Sequence, residues 1–199
     1  MNLERTNLVK GSGETMDFHH DTRKAVEAAA VLLRLIPHKE MGCKRLLALL
    51  YLADRESLAK HGRPIVGGRL VAMKYGPIHD EVYNLIKGGH WDSQKWSGHF
   101  DNDAYRVVLS NDPGVSALSR HEVNLLNDIS AAYSQKDDWD VADATHEFDE
   151  YTKTYVKNTS TTIPAEVIIE AVGRGTEKAE ILQDSQERAF FDKLFAEAK

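Results

Sequence analysis

Apolar residues recur at helical spacing through Ala25, Ala28, Ala29, Leu32, Leu33 and Ile36, predicting a helix capped by Thr22 and stopped at Pro37. A second helix is predicted from about Cys43 to Lys60. Its centre, residues 46–53, is apolar almost all round, the pattern of a buried spine, and His61 and Gly62 end it. Residues 65–66 and 70–73 are short apolar runs separated by Gly67 and Gly68, which suggests brief extended pieces. Pro77 suits the first position of a third helix, with Gly76 before it and Asp80 and Glu81 in the favourable first turn. Ile78, Val82, Leu85 and Ile86 form its inner stripe, and Gly88 and Gly89 close it.

Residues 96–100 and 105–109 flank a turn-rich connector and predict a hairpin. Ser119 and Glu122 have the spacing of a capping box for a helix running to about Ser134. Next come a short helix over residues 139–146, an aromatic stretch over 148–155 and a polar loop over 159–162. Residues 163–171 form another helix with Pro164 at its start, and residues 176–199 an amphipathic one. Three segments are expected: a flexible tail (1–21), a helical domain (22–175) and a C-terminal helix (176–199) packed on it or docking a partner. The fold class is mainly α with one small β-hairpin. Helix, helix, helix, hairpin is also the order of a winged helix. The outward residues of that third helix are His79, Asp80, Glu81, Tyr83, Asn84 and Lys87, two acids against one lysine. Phosphates would be repelled there, so nucleic acid is not the expected partner.

Of the 199 residues 42% are hydrophobic, enough for one domain with an appendage. No apolar run approaches the ~18 residues of a spanning helix. The start of the chain lacks the apolar centre of a secretory signal, and the single cysteine, Cys43, has no partner for a disulfide or a CxxC site. A cytoplasmic location is therefore expected. The net charge of −6 hides an asymmetry. Lys39, Lys44, Arg45, Arg55, Lys60, Arg63, Arg69 and Lys74 face only Glu40, Asp54 and Glu56 between residues 38 and 75. Seven acids and no Lys or Arg occupy residues 137–150. Two readings stand: solvated faces that attract each other within the fold, or a bipolar surface that selects a charged partner. Nine histidines fall in no HExxH pattern, and His79-Asp80 sits in an expected helix turn. The GSG at 11–13 and the GRG at 173–175 lack the setting of a phosphate cradle, and no GxSxG or Walker sequence occurs. No catalytic site, cofactor or metal is expected.

Residues 46–86 resemble the core signature of the Panacea domain family, SocA-like or phage-associated GepA-like. The resemblance rests on Tyr51-Leu52-Ala53-Asp54, Gly62-Arg63-Pro64-Ile65, Tyr75-Gly76-Pro77-Ile78 and Tyr83, in that order. Leu118-Ser119 and Ala144-Thr145-His146-Glu147 resemble later family elements, with Phe148 or Tyr151 as the aromatic that follows. The similarity spans about residues 24–171 and leaves out the tail and the Phe-rich C-terminal helix.

This resemblance implies an antitoxin of a two-gene toxin–antitoxin pair that neutralises its toxin by direct protein binding. Small alarmone-synthetase-like and other translation-targeting toxins are among those such proteins accompany. It also implies an alternative, a proteolytic adaptor carrying the toxin to a ClpXP-type protease; a DNA-binding autoregulator is the third reading. The motif residues are expected to be mostly structural: Gly76 and Pro77 set a helix start, Gly62 ends a helix, and Tyr51 and Tyr83 pack with their hydroxyls at partners or solvent. Asp54 reads either as a local salt bridge or cap or as a partner contact. Partner contacts are expected from Arg55, Arg63, Arg69 and Lys74 and from Phe190, Phe191 and Phe195, the phenylalanines being alternatively a core stripe.

Overall fold

A computed structural model describes residues 16–103 and 105–197. The first helix, α1 (Thr22–Arg34), is capped one residue earlier than expected: the Asp21 carboxylate accepts the Lys24 N–H at 3.1 Å. Strand β1 (Glu40–Gly42) leads into α2 (Cys43–His61), which ends at Gly62. The hairpin β2 (Leu70–Met73) and β3 (Gly76–His79) follows, then α3 (Asp80–Lys87) and the short α4 (Ser93–Ser97). Strands β4 (Phe100–Asn102) and β5 (Arg106–Leu109) precede α5 (Arg120–Ala132), α6 (Asp138–Ala144) and α7 (Asp149–Thr154). The chain closes with β6 (Thr161–Ile163), α8 (Ala165–Ala171) and α9 (Lys178–Glu197).

The fold is mainly α with two small antiparallel sheets, ordered β1-β5-β4 and β3-β2-β6. In the first half the order α1, β1, α2, α3, β4, β5, with β5 central, is that of a winged helix. Hairpin β2–β3 is inserted between its second and third helices.

Four local expectations are corrected. Pro77 does not begin a helix; it pairs with Ala72 in β3, and the helix starts at Asp80. Proline is tolerated because β3 is an edge strand, where the missing N–H need not serve a neighbour. Trp96 lies in α4, leaving only residues 100–102 to pair with β5, because its ring turns inward onto Phe100 at 4.2 Å. The expected loop at 159–162 contains the start of β6, whose Ile163 opposes Leu70. Residues 1–15 of the expected tail lie outside the described residues, but residues 16–21 are not free. Phe18 is buried, its carbonyl accepts the Gly68 N–H at 3.1 Å, and Asp21 donates to the Val66 carbonyl at 3.1 Å.

The all-round apolar centre of α2 is explained by its neighbours. Leu46, Leu49 and Leu50 are fully buried in a cluster with Leu32 and Leu33 of α1, Leu85, Trp96, Phe100 and Leu126. A second cluster gathers Tyr51 and Leu58 of α2 with Phe18, Leu70, Ile163, Ile169 and Leu182. A buried acid on α1 holds the approach to α5: Glu27 accepts the Ala117 and Leu118 N–H groups at 2.8 and 3.1 Å and the Ser116 hydroxyl at 3.0 Å. No described helix is long and apolar enough to cross a membrane.

The expected capping box is formed. Ser119 Oγ accepts the Glu122 N–H at 3.2 Å, and Glu122 returns an oxygen to the Ser119 N–H at 2.7 Å. Lys24 also reaches Glu122 at 2.6 Å, tying α1 to α5. Replacing Ser119 by Ala should lower stability by about 1 kcal/mol, read as a lower urea midpoint at unchanged slope.

Candidate functional site

The motif residues fall into three linked clusters and one open groove. The first cluster centres on Asp54, 3% exposed on the inner face of α2. Its Oδ1 accepts the Ile65 and Val66 N–H groups, both at 2.9 Å, and its Oδ2 accepts the Gly67 N–H at 2.8 Å. His79 Nε2 meets the same Oδ2 at 2.9 Å. These bonds explain why residues 65–66 form no strand: their N–H groups serve a carboxylate instead of a ladder. Gly67 has φ 65°, and a Cβ there would collide with the His19 carbonyl, so this turn requires glycine. The four bonds and its burial give Asp54 the arrangement of a local cap. Gly62, Pro64 and Ile65 shape the loop it secures.

Behind this cluster lies a pair of imidazoles. His79 is fully buried with Nδ1 unpartnered, and neither ring nitrogen of His20 has a partner. Burial, with the nearby His79 and His90, pushes His20 down to about 4, against the weaker opposite pull of Asp21 and Asp54.

The second cluster joins α2 to α7. Tyr51 donates its hydroxyl proton to Glu150 Oε1 at 2.5 Å, and Arg55 Nε donates to the same oxygen at 2.6 Å. The Arg55 guanidinium also lies 3.8 Å over the Phe148 ring. Burial and the Glu150 carboxylate hold the Tyr51 phenol well above its ordinary range. Arg55 thus pairs with an internal acid, its side chain 21% exposed.

In the third cluster the later motif meets the earlier one. Thr145 is buried against Gly76, whose φ is 107°, so that a Cβ at Gly76 would press on the Thr145 hydroxyl. His146 stacks with Tyr151 at 4.8 Å, and Tyr151 with Tyr155 at 5.1 Å. Burial, then Tyr155, pushes the Tyr151 phenol up to about 12, so it keeps its proton and donates to the Met73 carbonyl at 2.9 Å.

The groove, about 440 Å³, opens beside these clusters. Leu47, Ala48 and Ile78 form its floor, and Tyr75, Tyr105 and Trp139 its rim, with Tyr83 also lining it. The Lys44 ammonium lies between two rings, 3.3 Å from Trp139 and 4.1 Å from Tyr75. Lys74 is 5.1 Å from Tyr75. The sequence reading did not single out Lys44, Tyr105 or Trp139. A tryptophan amid seven acids is a signal that could have marked one of them.

The remaining proposed contacts separate. Arg69 pairs with Asp80 at the surface, its side chain 48% exposed. Leu52 belongs to the core. The first turns of α9 pack through Ile181 and Leu182, and Ser185 Oγ accepts the His19 N–H at 2.7 Å. Beyond them Phe190 and Phe195 are each 64% exposed, and Phe191 and Leu194 are exposed too, so the phenylalanine stripe is not core. Arg63 and Phe191 share a hollow of about 220 Å³ between residues 62–65 and α9. Part of the charge asymmetry closes internally, through Arg55–Glu150 and Arg45–Asp138 at 3.6 Å. Among the described residues, no group of three or more His, Cys, Asp or Glu is placed to hold a metal ion.

A family model described as antitoxin SocA-like, Panacea domain, matches residues 46–151. No curated protein and no solved structure matches the chain.

Replacing Asp54 by Ala would strand three backbone N–H groups and cost about 3 kcal/mol or more in urea unfolding. Asp54→Asn, which keeps one accepting oxygen, should cost less. His20 gives a pH signature. The unfolded chain protonates it near 6.5, the folded one only near about 4, so stability is complete above pH 6.5 and falls as pH drops toward 4. The slope is bounded by about 1.4 kcal/mol per pH unit. Urea midpoints measured between pH 7 and 4.5 should fall less steeply for His20→Phe than for the wild type.

Proposed function

The chain belongs to the SocA-like Panacea-domain antitoxin family, and we propose that it neutralises a cognate protein toxin in the cytoplasm by binding it directly. The observation that carries this reading is the outer half of α9, where Phe190, Phe191, Leu194 and Phe195 are exposed together. Folding does not use this face. Apolar clusters of this kind on a surface mark interaction sites, and aromatic residues and arginine are the side chains that dominate binding energy. Arg63, in the hollow it shares with Phe191, supplies the arginine. The face lies outside the matched residues 46–151, which fits a common core carrying a recognition element of its own. The toxin is held without chemistry from this chain, by occlusion of its working surface. A toxin that attacks translation, such as a small alarmone-synthetase-like one, is one class that the resemblance implies.

The test is co-expression with the product of the neighbouring reading frame. Induced alone, that product should arrest growth; induced together with this protein, growth should recover at unchanged toxin abundance. A Phe190→Asp/Phe195→Asp variant should fold normally, since both side chains are exposed, yet fail to restore growth. A toxin that stays fully active with this protein in molar excess rejects neutralisation by binding, and rescue accompanied by loss of the toxin points to delivery to a protease.

A further inference from the structure

The aromatic groove is not needed for folding in the form it takes. Tyr105 is 81% exposed and Trp139 54% exposed, yet with Tyr75 they stand around an apolar floor built from α2 and β3. Tyr75 and Trp139 meet edge to face at 5.6 Å and hold the Lys44 ammonium between them. Packing on two rings orients a lysine while leaving its N–H bonds open to an incoming acceptor. No carboxylate among the described residues pairs with Lys44 or Lys74, and the nearby acid, Asp138, is taken by Arg45. The groove therefore joins apolar area to uncompensated positive charge.

The charge around it limits what can enter. Asp137, Asp138, Asp140 and Asp143 lie on or beside α6, which forms one wall. A nucleic acid would carry a run of phosphates past all four acids and be repelled, whereas a short segment with one carboxylate meets Lys44 in the lining and Lys74 beside Tyr75, with Asp138, an acid of that lining, drawn toward Arg45 at 3.6 Å. A groove of about 440 Å³ has room for only a few side chains, far fewer than the ~20–30 residues a side that a stable interface of roughly 800 Å² per partner engages. It suits one anchor within a larger contact.

We propose that this groove receives a segment of the toxin in which a bulky apolar side chain lies beside one or more carboxylates. The side chain seats on Leu47, Ala48 and Ile78 against Trp139, and the carboxylate meets Lys44 and Lys74. This deepens the antitoxin reading and rests on it: the toxin is held at two points, the α9 face and the groove.

The experiment measures the affinity of the full-length protein for the purified toxin of the growth assay, by calorimetry at low and high salt. Trp139→Ala and Lys44→Glu should each weaken binding by ~10-fold or more, with thermal midpoints near that of the wild type. Lys44→Met should weaken it less and flatten its salt dependence. If the wild type binds and the first two variants bind within ~2-fold of it, the groove proposal is overturned while the antitoxin reading stands. If the wild type does not bind at all, the antitoxin reading fails and the groove proposal with it. A self-associated species that Lys44→Glu disperses in sedimentation assigns the groove to a second copy and overturns the toxin segment. Competition by a duplex DNA fragment assigns it to nucleic acid and overturns the proposal equally.

Discussion

A carboxylate taken out of water needs donors to replace the solvent, and Asp54 places that requirement inside the core helix α2. Three consecutive backbone N–H groups and one imidazole answer it. The bonds reach further than the side chain. The loop they fold returns an N–H from Gly68 to Phe18 and a carbonyl from Val66 to Asp21, so the N-terminal segment is seated by the same turn. His79 links the turn to β3 and hence to the second sheet. Glu27 serves the approach to α5 in the same manner. Glu150 differs: side chains satisfy one of its oxygens, and the other has no partner. Backbone donors fix a loop's path as well as a charge, which is why Asp54 organises more of the fold than Glu150 does.

The long helices were legible because burial and period coincide there. The apolar centre of α2 and the Ser119–Glu122 box each carry a signal within one turn or two. The failures have a common cause, which is dependence on distant partners. A Gly-Pro pair serves a helix start and an edge strand equally well, and only the pairing of Pro77 with Ala72 decides between them. Strand β6 is three residues long and shows no alternation by itself; Leu70 makes it a strand. The phenylalanine stripe of α9 looks identical whether it is covered or bare. In the groove, Lys44 and Trp139 are far apart in sequence, and each alone resembles an ordinary surface residue.

The charge asymmetry shows how a sequence pattern divides once it is folded. Read along the chain, residues 137–150 form one acidic block. In space Asp138 turns to Arg45, Asp149 to Lys153 and Glu150 inward to Tyr51 and Arg55. Part of the block thus fastens α6 and α7 to α2, and Asp138 does so while also lining the groove. The same segment serves stability and selection, so its charge cannot be judged by net count.

The pairing of β2 with β6 has a consequence for the chain's early life. Leu70 is made long before Ile163, so during synthesis β2 waits with one edge bare while the ribosome completes α3 to α7. The first sheet has all three strands by Leu109, and its core is completed once α5 and α6 have been made, but the second sheet still lacks β6 then. Until β6 emerges, the nascent chain carries an open strand edge beside a half-covered apolar cluster, the kind of surface that chaperones and proteases engage. Newly made and finished molecules should therefore differ sharply in lifetime.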